Sequence, residues 1–488
     1  MTKDAAQDVI FKDRWKTLLI LGISQLMVVL DSSIVNIAIP SAKVDLGISD
    51  VNQQWVVTAY TLAFGSLLLI GGRIGDFFGR KRIFIIGLLG FAAVSGLGGL
   101  AQSQGQLFAA RAAQGVFGAL LAPAVLSIIS VTFLDPKERA KAFGVIGAIS
   151  GGGAAIGLIL GGTLTEFFSW RWCLGVNVPI AMVAGTLAFK FLHESRAQGD
   201  HSFDIPSVLT STAGLFSLVY GFNRAATDGW TDTKTLIFFA AAVVLILLFL
   251  FIEKRAEHPL MPIRVIAERN RGGSYLGSLV VGAGLFSMFL FLGLYFQVIR
   301  GFTPLRSGFA FLPFSIGIIV TAGIVAQLLP KFGPKPLMTS GLVAASGGLF
   351  YLSMINPTSN YWTHIFPCLI IMSSGMAFVF IPITSTALHG VGNRDTGVAS
   401  AVLNTSQQIG GSLGTALLNT VAATAATNYI ASHQSMGQAA QIAGMVHGYT
   451  SAFKVGASLL LVGALLVALF INIGKEAVVE HEGAGVGI

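Results

Sequence analysis

Fourteen stretches of this chain are long and apolar enough to leave water, near 17–39, 54–74, 83–101, 107–133, 141–165, 173–192, 207–224, 235–252, 273–298, 308–329, 336–355, 363–388, 397–425 and 451–473. A helix of about 20 apolar residues crosses the hydrocarbon core of a bilayer. Backbone exposed to lipid must satisfy its own hydrogen bonds, so runs of this length read as helices rather than barrel strands. Only 11% of the residues are charged, against about 25% in soluble domains. The fold class is therefore an all-α, multi-pass membrane protein. Lys12, Arg14 and Lys16 precede the first run as they would in a signal peptide. That run is too long for a signal core and lacks a small-residue cleavage site, so it reads as a retained helix.

The net charge of +8 reflects topology rather than a nucleic-acid partner. With the N-terminus inside, the basic clusters Arg80/Lys81/Arg82, Lys137/Arg139/Lys141, Lys254/Arg255/Arg264/Arg269/Arg271 and Lys331/Lys335 all fall on one face. That is the positive-inside pattern, and it puts both termini in the cytoplasm of a cell-membrane protein. The two cysteines, Cys173 and Cys368, have no metal spacing and no disulfide framework.

A weak repeat divides the chain. Asp76-Phe77-Phe78-Gly79-Arg80-Lys81 follows span 2, and Pro330-Lys331-Phe332-Gly333-Pro334-Lys335 follows span 10. Gly87 and Gly341 then keep step, and Arg139 and Arg394 each precede a glycine-rich span. We expect a cytoplasmic N-terminus (1–16), a six-helix bundle (17–195), two inserted helices (204–253) and a basic cytoplasmic linker (254–272). A second six-helix bundle (273–474) and a cytoplasmic tail (475–488) follow, the bundles being related by an axis along the membrane normal.

Asp31 lies two-thirds of the way along span 1. A carboxylate at such depth costs roughly 2.5–3.5 kcal/mol to insert, which makes it a functional candidate. Arg111 in span 4 is the second costly charge. At 1.5 Å per residue Asp31 is roughly 12 Å, and Arg111 roughly 6–9 Å, from the outer ends of their spans. A long arginine side chain covers the difference. Glu166 ends span 5 beside Trp170, Arg171 and Trp172, and reads either as an interfacial residue or as a relay carboxylate. Asp204 reads as an N-terminal helix charge. The loop containing Gly72, Asp76, Gly79, Arg80 and Lys81 is glycine-punctuated, which permits close backbone approach. Asp76 there can accept from a helix N-terminus or pair with a nearby arginine. Gly153, Gly157, Gly161 and Gly162 give span 5 a small-residue packing face. Tyr60, Phe64, Phe289, Tyr295, Asn404 and Gln408 are candidates for a substrate cavity.

The motifs carry a resemblance. The run Gly72-x-x-x-Asp76-x-x-Gly79-Arg80-Lys81 resembles the signature loop of the major facilitator superfamily. Four more runs resemble its fourteen-helix drug:proton antiporter branch: Leu30-Asp31-Ser32-Ser33-Ile34-Val35-Asn36-Ile37-Ala38-Ile39-Pro40, Arg111-Ala112-Ala113-Gln114-Gly115, Trp170-Arg171-Trp172 with Asn177 and Pro179, and Asn404-Thr405-Ser406-Gln407-Gln408-Ile409-Gly410-Gly411. They occur in order on the corresponding spans.

The resemblance implies two six-helix bundles plus two extra central helices, alternating access, and proton coupling through Asp31 and Arg111. Desolvation disfavours the charged form of Asp31 and a nearby arginine favours it, so opening the site to either side would load or release a proton. Three positions depart from the family pattern. Phe77 stands where a base is usual, Leu158 replaces a helix-breaking proline, and Gln407 replaces an arginine. No phosphate-binding loop, nucleophile elbow or zinc-protease motif occurs, which argues against ATP drive and against an enzyme. We expect a monomeric exporter of amphipathic drugs or metabolites, with no cofactor beyond the proton. Movement of lipid-like molecules between leaflets is the second reading, because spans 9 to 14 carry no internal carboxylate.

Overall fold

The computed structural model describes residues 3–49, 52, 55–196, 205–256, 259–392, 395–433 and 437–473. Asp204, Arg394 and the tail 475–488 lie outside these residues. The N-terminal half contains α1 (Lys3–Leu46), α2 (Trp55–Phe78), α3 (Arg80–Gly99), α4 (Gln104–Thr132), α5 (Pro136–Phe167), α6 (Arg171–Gly175) and α7 (Asn177–Phe191). Next come α8 (Ile205–Thr227), α9 (Thr233–Arg255) and the short α10 (Ile263–Ala267). The remainder is α11 (Arg269–Leu294), α12 (Pro304–Phe332), α13 (Pro334–Leu352), α14 (Phe366–Ala387), α15 (Thr396–Ser432) and α16 (Gln438–Phe470). A π-helical turn, Tyr295–Ile299, extends α11, and another, Tyr361–Ile365, precedes α14. No strand occurs among the described residues.

Helix starts follow local chemistry. Ser103, Asp135, Asp232 and Thr303 each accept a backbone N–H in the first turn of the next helix, and Pro136 and Pro304 begin α5 and α12. Span 6 is not one helix. Pro179 has no N–H to offer the Gly175 carbonyl, and the run breaks into α6 and α7 around Val176.

Glu268 caps α11, its two oxygens accepting from the N–H groups of Asn270 (3.0 Å) and Arg271 (2.8 Å). Burial pushes this carboxyl up, but the two N–H donors, with the Asn270 side-chain amide and the Arg271 charge, outweigh it and hold it below the ordinary glutamate range. We expect Glu268→Ala to cost roughly 1 kcal/mol at neutral pH. A depressed native value means the cap contributes above the unfolded glutamate value and is lost as pH falls through the native one. Thermal unfolding of variant and wild type in detergent, at neutral and acidic pH, reads both effects.

Among the described residues, eleven helices are long and apolar enough to cross a membrane. Among the described residues α5 contributes two shorter apolar stretches, Lys141–Ser150 and Ile156–Phe167, while α13 and α15 fall short by this measure because glycine, alanine, serine and threonine fill them. Those residues trade hydropathy for close approach. Thus α5 packs on α1, α12 and α14, while α15 packs on α2, α11 and α16. A Cβ at Gly157 would sit 2.7 Å from Ser33 Cβ, and one at Gly161 would sit 3.1 Å from Ile34 Cα. Gly153 likewise faces Val29 on α1, whereas Gly162 faces Leu305 on α12.

Two turns match across the halves. Gly79 between α2 and α3 has φ 112°, and Gly333 between α12 and α13 has φ 77°, values open mainly to glycine. Gly87 admits Phe117 and Leu121 of α4, and Gly341 admits Gly375 and Phe378 of α14. One apolar core draws on α11 to α14 and α16, around Phe291, Phe311 and Phe314, and a second draws mainly on α1 to α5 and α7.

Helix α8 lies along α2 and α15, the two helices that join the halves on that side. Asn223 Nδ2 donates to Thr58 Oγ1 (2.9 Å), and Trp230 Nε1 donates to Thr420 Oγ1 (2.8 Å). Helix α9 is outermost, with 17% of its apolar window buried.

Candidate functional site

Asp31 is fully buried and every contact on it is a donor. Arg111 Nη1 donates to Oδ2 at 2.6 Å. Gln114 Nε2 and Asn177 Nδ2 donate to Oδ1 at 3.0 and 2.8 Å. The helix α4 places Arg111 and Gln114 on one face because they are three residues apart. The break before α7 puts Asn177 at the start of that helix, where its side chain reaches back to α1.

The partners are themselves held. Arg111 also donates to the Val56 carbonyl (3.0 Å) and to Gln114 Oε1 (2.8 Å), and its guanidinium lies 4.6 Å from the ring centre of Tyr60. Tyr60 stacks on Phe64 at 5.4 Å. Asn177 Nδ2 donates a second time, to Ser95 Oγ (2.9 Å), and Ser95 donates to the Leu174 carbonyl (2.8 Å). A cluster of Leu30, Ile34, Trp170 and Cys173 covers the site.

Removing one member of a buried ion pair costs about 3–5 kcal/mol, because the other charge is stranded. Arg111→Ala strands Asp31 among neutral donors and should lower stability by that amount at neutral pH. Chemical or thermal unfolding in detergent measures the loss.

The second site is the turn between α2 and α3. Asp76 Oδ1 accepts from Arg80 Nη2 (2.7 Å) and Nε (3.0 Å), one helical turn on. Its Oδ2 accepts from the Gly397 N–H (2.8 Å) at the start of α15. A carboxylate there meets the positive end of a helix. Gly72 and Gly397 allow the approach, since a Cβ at Gly72 would lie 2.4 Å from the Gly397 oxygen. Lys81 Nζ donates to the carbonyls of Leu192 (2.6 Å) and Phe189 (3.0 Å) at the end of α7. Arg139 is half-buried near the start of α5. Among the described residues no hydrogen bond or ion pair joins it to Asp76. Its neighbour Glu138 pairs with Arg14 (2.8 Å).

Sequence reasoning passed over Arg73. Its Nη1 lies 3.4 Å from Asp395 Oδ1, and its Nη2 donates to the Pro259 carbonyl at 2.9 Å. Arg264 of α10 approaches the other oxygen of Asp395 at 2.8 Å. The linker therefore docks under the α2–α15 junction. Phe77 gives Arg73 a ring face at 4.5 Å, so the aromatic residue standing in place of the usual base is used.

The other candidates are dispersed. Glu166 is exposed, and Arg171 pairs instead with Asp45, which also accepts from Trp170 Nε1 (3.0 Å). That arginine and the indole hold the Asp45 carboxyl below the usual carboxylate range. Phe289 packs on Phe311 and Phe314, and the Tyr295 hydroxyl donates to the Asn356 carbonyl (2.8 Å). Asn404 lines a cavity of about 50 Å³ between the halves, together with Gln25, Phe143, Ser150, Phe380 and Gln407. Gln408 is half-buried next to it. Among the described residues no charged side chain lines this cavity. In its wall Gly147 of α5 admits Phe380 of α14, and Gly144 admits Ile381 nearby.

The family model described as Major Facilitator Superfamily matches residues 21–415. The chain belongs to that superfamily. It is a transporter and not an enzyme. It is 45% identical to the puromycin resistance protein pur8 of Streptomyces alboniger over 97% of this chain and 94% of that one. It is 36% identical to the cephamycin export protein CmcT of Amycolatopsis lactamdurans, over 81% and 82% of the two chains. The human organic anion transporter MFSD10 shares the fold, with a TM-score of 0.60 at 15% identity, over 94% of this chain and 98% of that one.

Proposed function

We propose that this transporter exports amphipathic drugs or metabolites by alternating access, exchanging them for protons. The carrying observation is the buried Asp31–Arg111 pair at 2.6 Å, walled by Gln114, Asn177 and Tyr60. In this reading Asp31 binds a proton from outside and releases it inside, and no other cofactor is required. The relatives named for puromycin resistance and cephamycin export support an antibiotic-like cargo. With α5, α13 and α15 added to the eleven apolar helices, the chain makes fourteen spans. These form two six-helix bundles with α8 and α9 inserted between them in sequence. Both termini, the α2–α3 turn and the linker face the cytoplasm of the cell membrane, on the charge pattern of the loops. The working unit is one chain.

In this orientation the Asp76–Arg80–Gly397 contact closes the cytoplasmic side, and Gly72 and Arg73 tighten it. The uncharged cavity lining suits neutral or weakly charged amphiphiles. It also favours lipid-like cargo as the second reading, which density for acyl chains between the bundles would support. The deciding experiment is a substrate panel, puromycin included, in proteoliposomes under an imposed pH gradient. Export that rises with the gradient and moves protons the other way supports the proposal. Transport indifferent to the gradient would remove proton coupling.

A further inference from the structure

The donor and acceptor inventory around Asp31 has one irregularity. The carboxylate is met only by donors: the Arg111 guanidinium and the amide nitrogens of Gln114 and Asn177. This suits the charged form. A protonated Asp31 carries an O–H that needs an acceptor. Gln114 aims its nitrogen at Asp31 and its Oε1 at Arg111, so turning its amide would set an NH2 against the guanidinium. The Arg111 guanidinium has no acceptor at all. The Asn177 side chain is buried, its nitrogen donates twice, and its Oδ1 has no partner among the described residues. An orphaned acceptor thus sits on the side chain that touches the Asp31 carboxylate. Leaving such a group unpaired is costly, and native structures keep few without a reason.

We infer that Asn177 is the group that reads the protonation state of Asp31, by turning its carboxamide over. With Asp31 charged, Nδ2 donates to Oδ1 of Asp31 and to Ser95 Oγ. When Asp31 takes up a proton, the Asn177 amide rotates so that its oxygen faces the new O–H and accepts from it. Ser95 can follow, because its hydroxyl both donates and accepts. It exchanges the Leu174 carbonyl for the Asn177 oxygen. No bond other than the Asp31 O–H is formed or broken. Since Asn177 opens α7 and Asp31 lies two-thirds of the way along α1, the turnover changes how these two helices are tied.

The titratable and charged groups facing Asp31 are Arg111 from α4, Tyr60 from α2 and Cys173 from α6. Helices α3, α5 and α7 present Ser95, the Gly157 and Gly161 face, and Asn177 itself. Asn177 is therefore the neutral partner of Asp31 whose acceptor is unused among the described residues.

The inference rests on Asp31 being the proton site, and two measurements separate the two ideas. The first is isotope-edited infrared difference spectroscopy of the intact transporter between alkaline and acidic pH, with labelled asparagine. The expected result is a protonated-carboxyl band, absent in Asp31→Asn, that rises together with a shifted asparagine carbonyl band, absent in Asn177→Thr. The carboxyl band without the asparagine band overturns the role of Asn177 and leaves the proton site intact. Absence of an Asp31 carboxyl band overturns both.

The second measurement compares Asn177→Thr with Asn177→Val, which match in shape and differ in a hydroxyl that donates and accepts. Drug/proton exchange across a pH series should stay within about threefold of wild type in the threonine variant. It should fall by about tenfold or more in the valine variant, the effect of losing a hydrogen bond to a charged partner. Equal rates in the two variants, both folded by size-exclusion and thermal profile, would mean that Asn177 is only a filler.

Discussion

Asp31→Asn is expected to bring proton-driven export down to the level of protein-free vesicles while leaving folded transporter in the membrane. The two halves of that result have separate causes. A carboxamide at this position cannot bind and release a proton, so the proposed coupling step is gone. The fold survives because Arg111 keeps three other contacts: the Val56 carbonyl, Gln114 Oε1 and the face of Tyr60. The new amide oxygen can still accept from Arg111. We therefore expect a stability loss of about 1–2 kcal/mol, well under that of Arg111→Ala. Counterflow exchange, which needs no net proton movement, should persist in the variant. Export under an imposed gradient that equals wild type would place the proton elsewhere.

The other large effect is at the junction of α2 and α15. Gly72→Leu should hold the halves apart at the end that bears the α2–α3 turn and lower transport by about tenfold or more. A Cβ at position 72 meets the Gly397 carbonyl oxygen at 2.4 Å and Ala401 Cβ at 2.9 Å. Backbone cannot swing aside as a side chain can, so the contact must open. Opening separates Asp76 from the Gly397 N–H and strains the Arg73–Asp395 pair. The test uses a chain with Cys173 and Cys368 replaced by alanine and one cysteine introduced at Ser150, beside the cavity. A membrane-impermeant thiol reagent applied from that end should label it several times faster in the Gly72→Leu background. Unchanged labelling would show that this junction does not gate access.

Much of this was legible in the sequence, and the legible parts share a cause. Asp31 and Arg111 stand out because a charge in an apolar run is expensive, so cost alone marks them. Asp76 and the glycines of its turn stand out through charge and backbone freedom. Neutral amides carry no such mark. Gln114 and Asn177 lie inside recognisable motifs, yet nothing in composition says that both point at one carboxylate. The Arg73–Asp395 pair is invisible for another reason, since its members are 322 residues apart and each looks like an ordinary loop charge. The break between α6 and α7 follows from Pro179 but is hidden by the apolar run around it. The helices α13 and α15 show the reverse. Their small residues dilute the apolar signal, and that same smallness lets neighbours approach closely.

The two seams between the halves are unequally dressed. Helix α8 lies along α2 and α15, while α5 and α12 meet with α14 behind them and, among the described residues, neither α8 nor α9 packed substantially against them. On α12 the residues Phe309, Ile316, Ile319 and Val320 are left bare. Acyl chains therefore press on one seam and are kept from the other. Changes in bilayer thickness or lateral pressure act through hydrophobic matching, and here they have a single line of purchase. The conformational balance of this transporter should follow the composition of its host membrane through the α5–α12 seam, with the α8–α9 hairpin serving as a windbreak on the opposite flank.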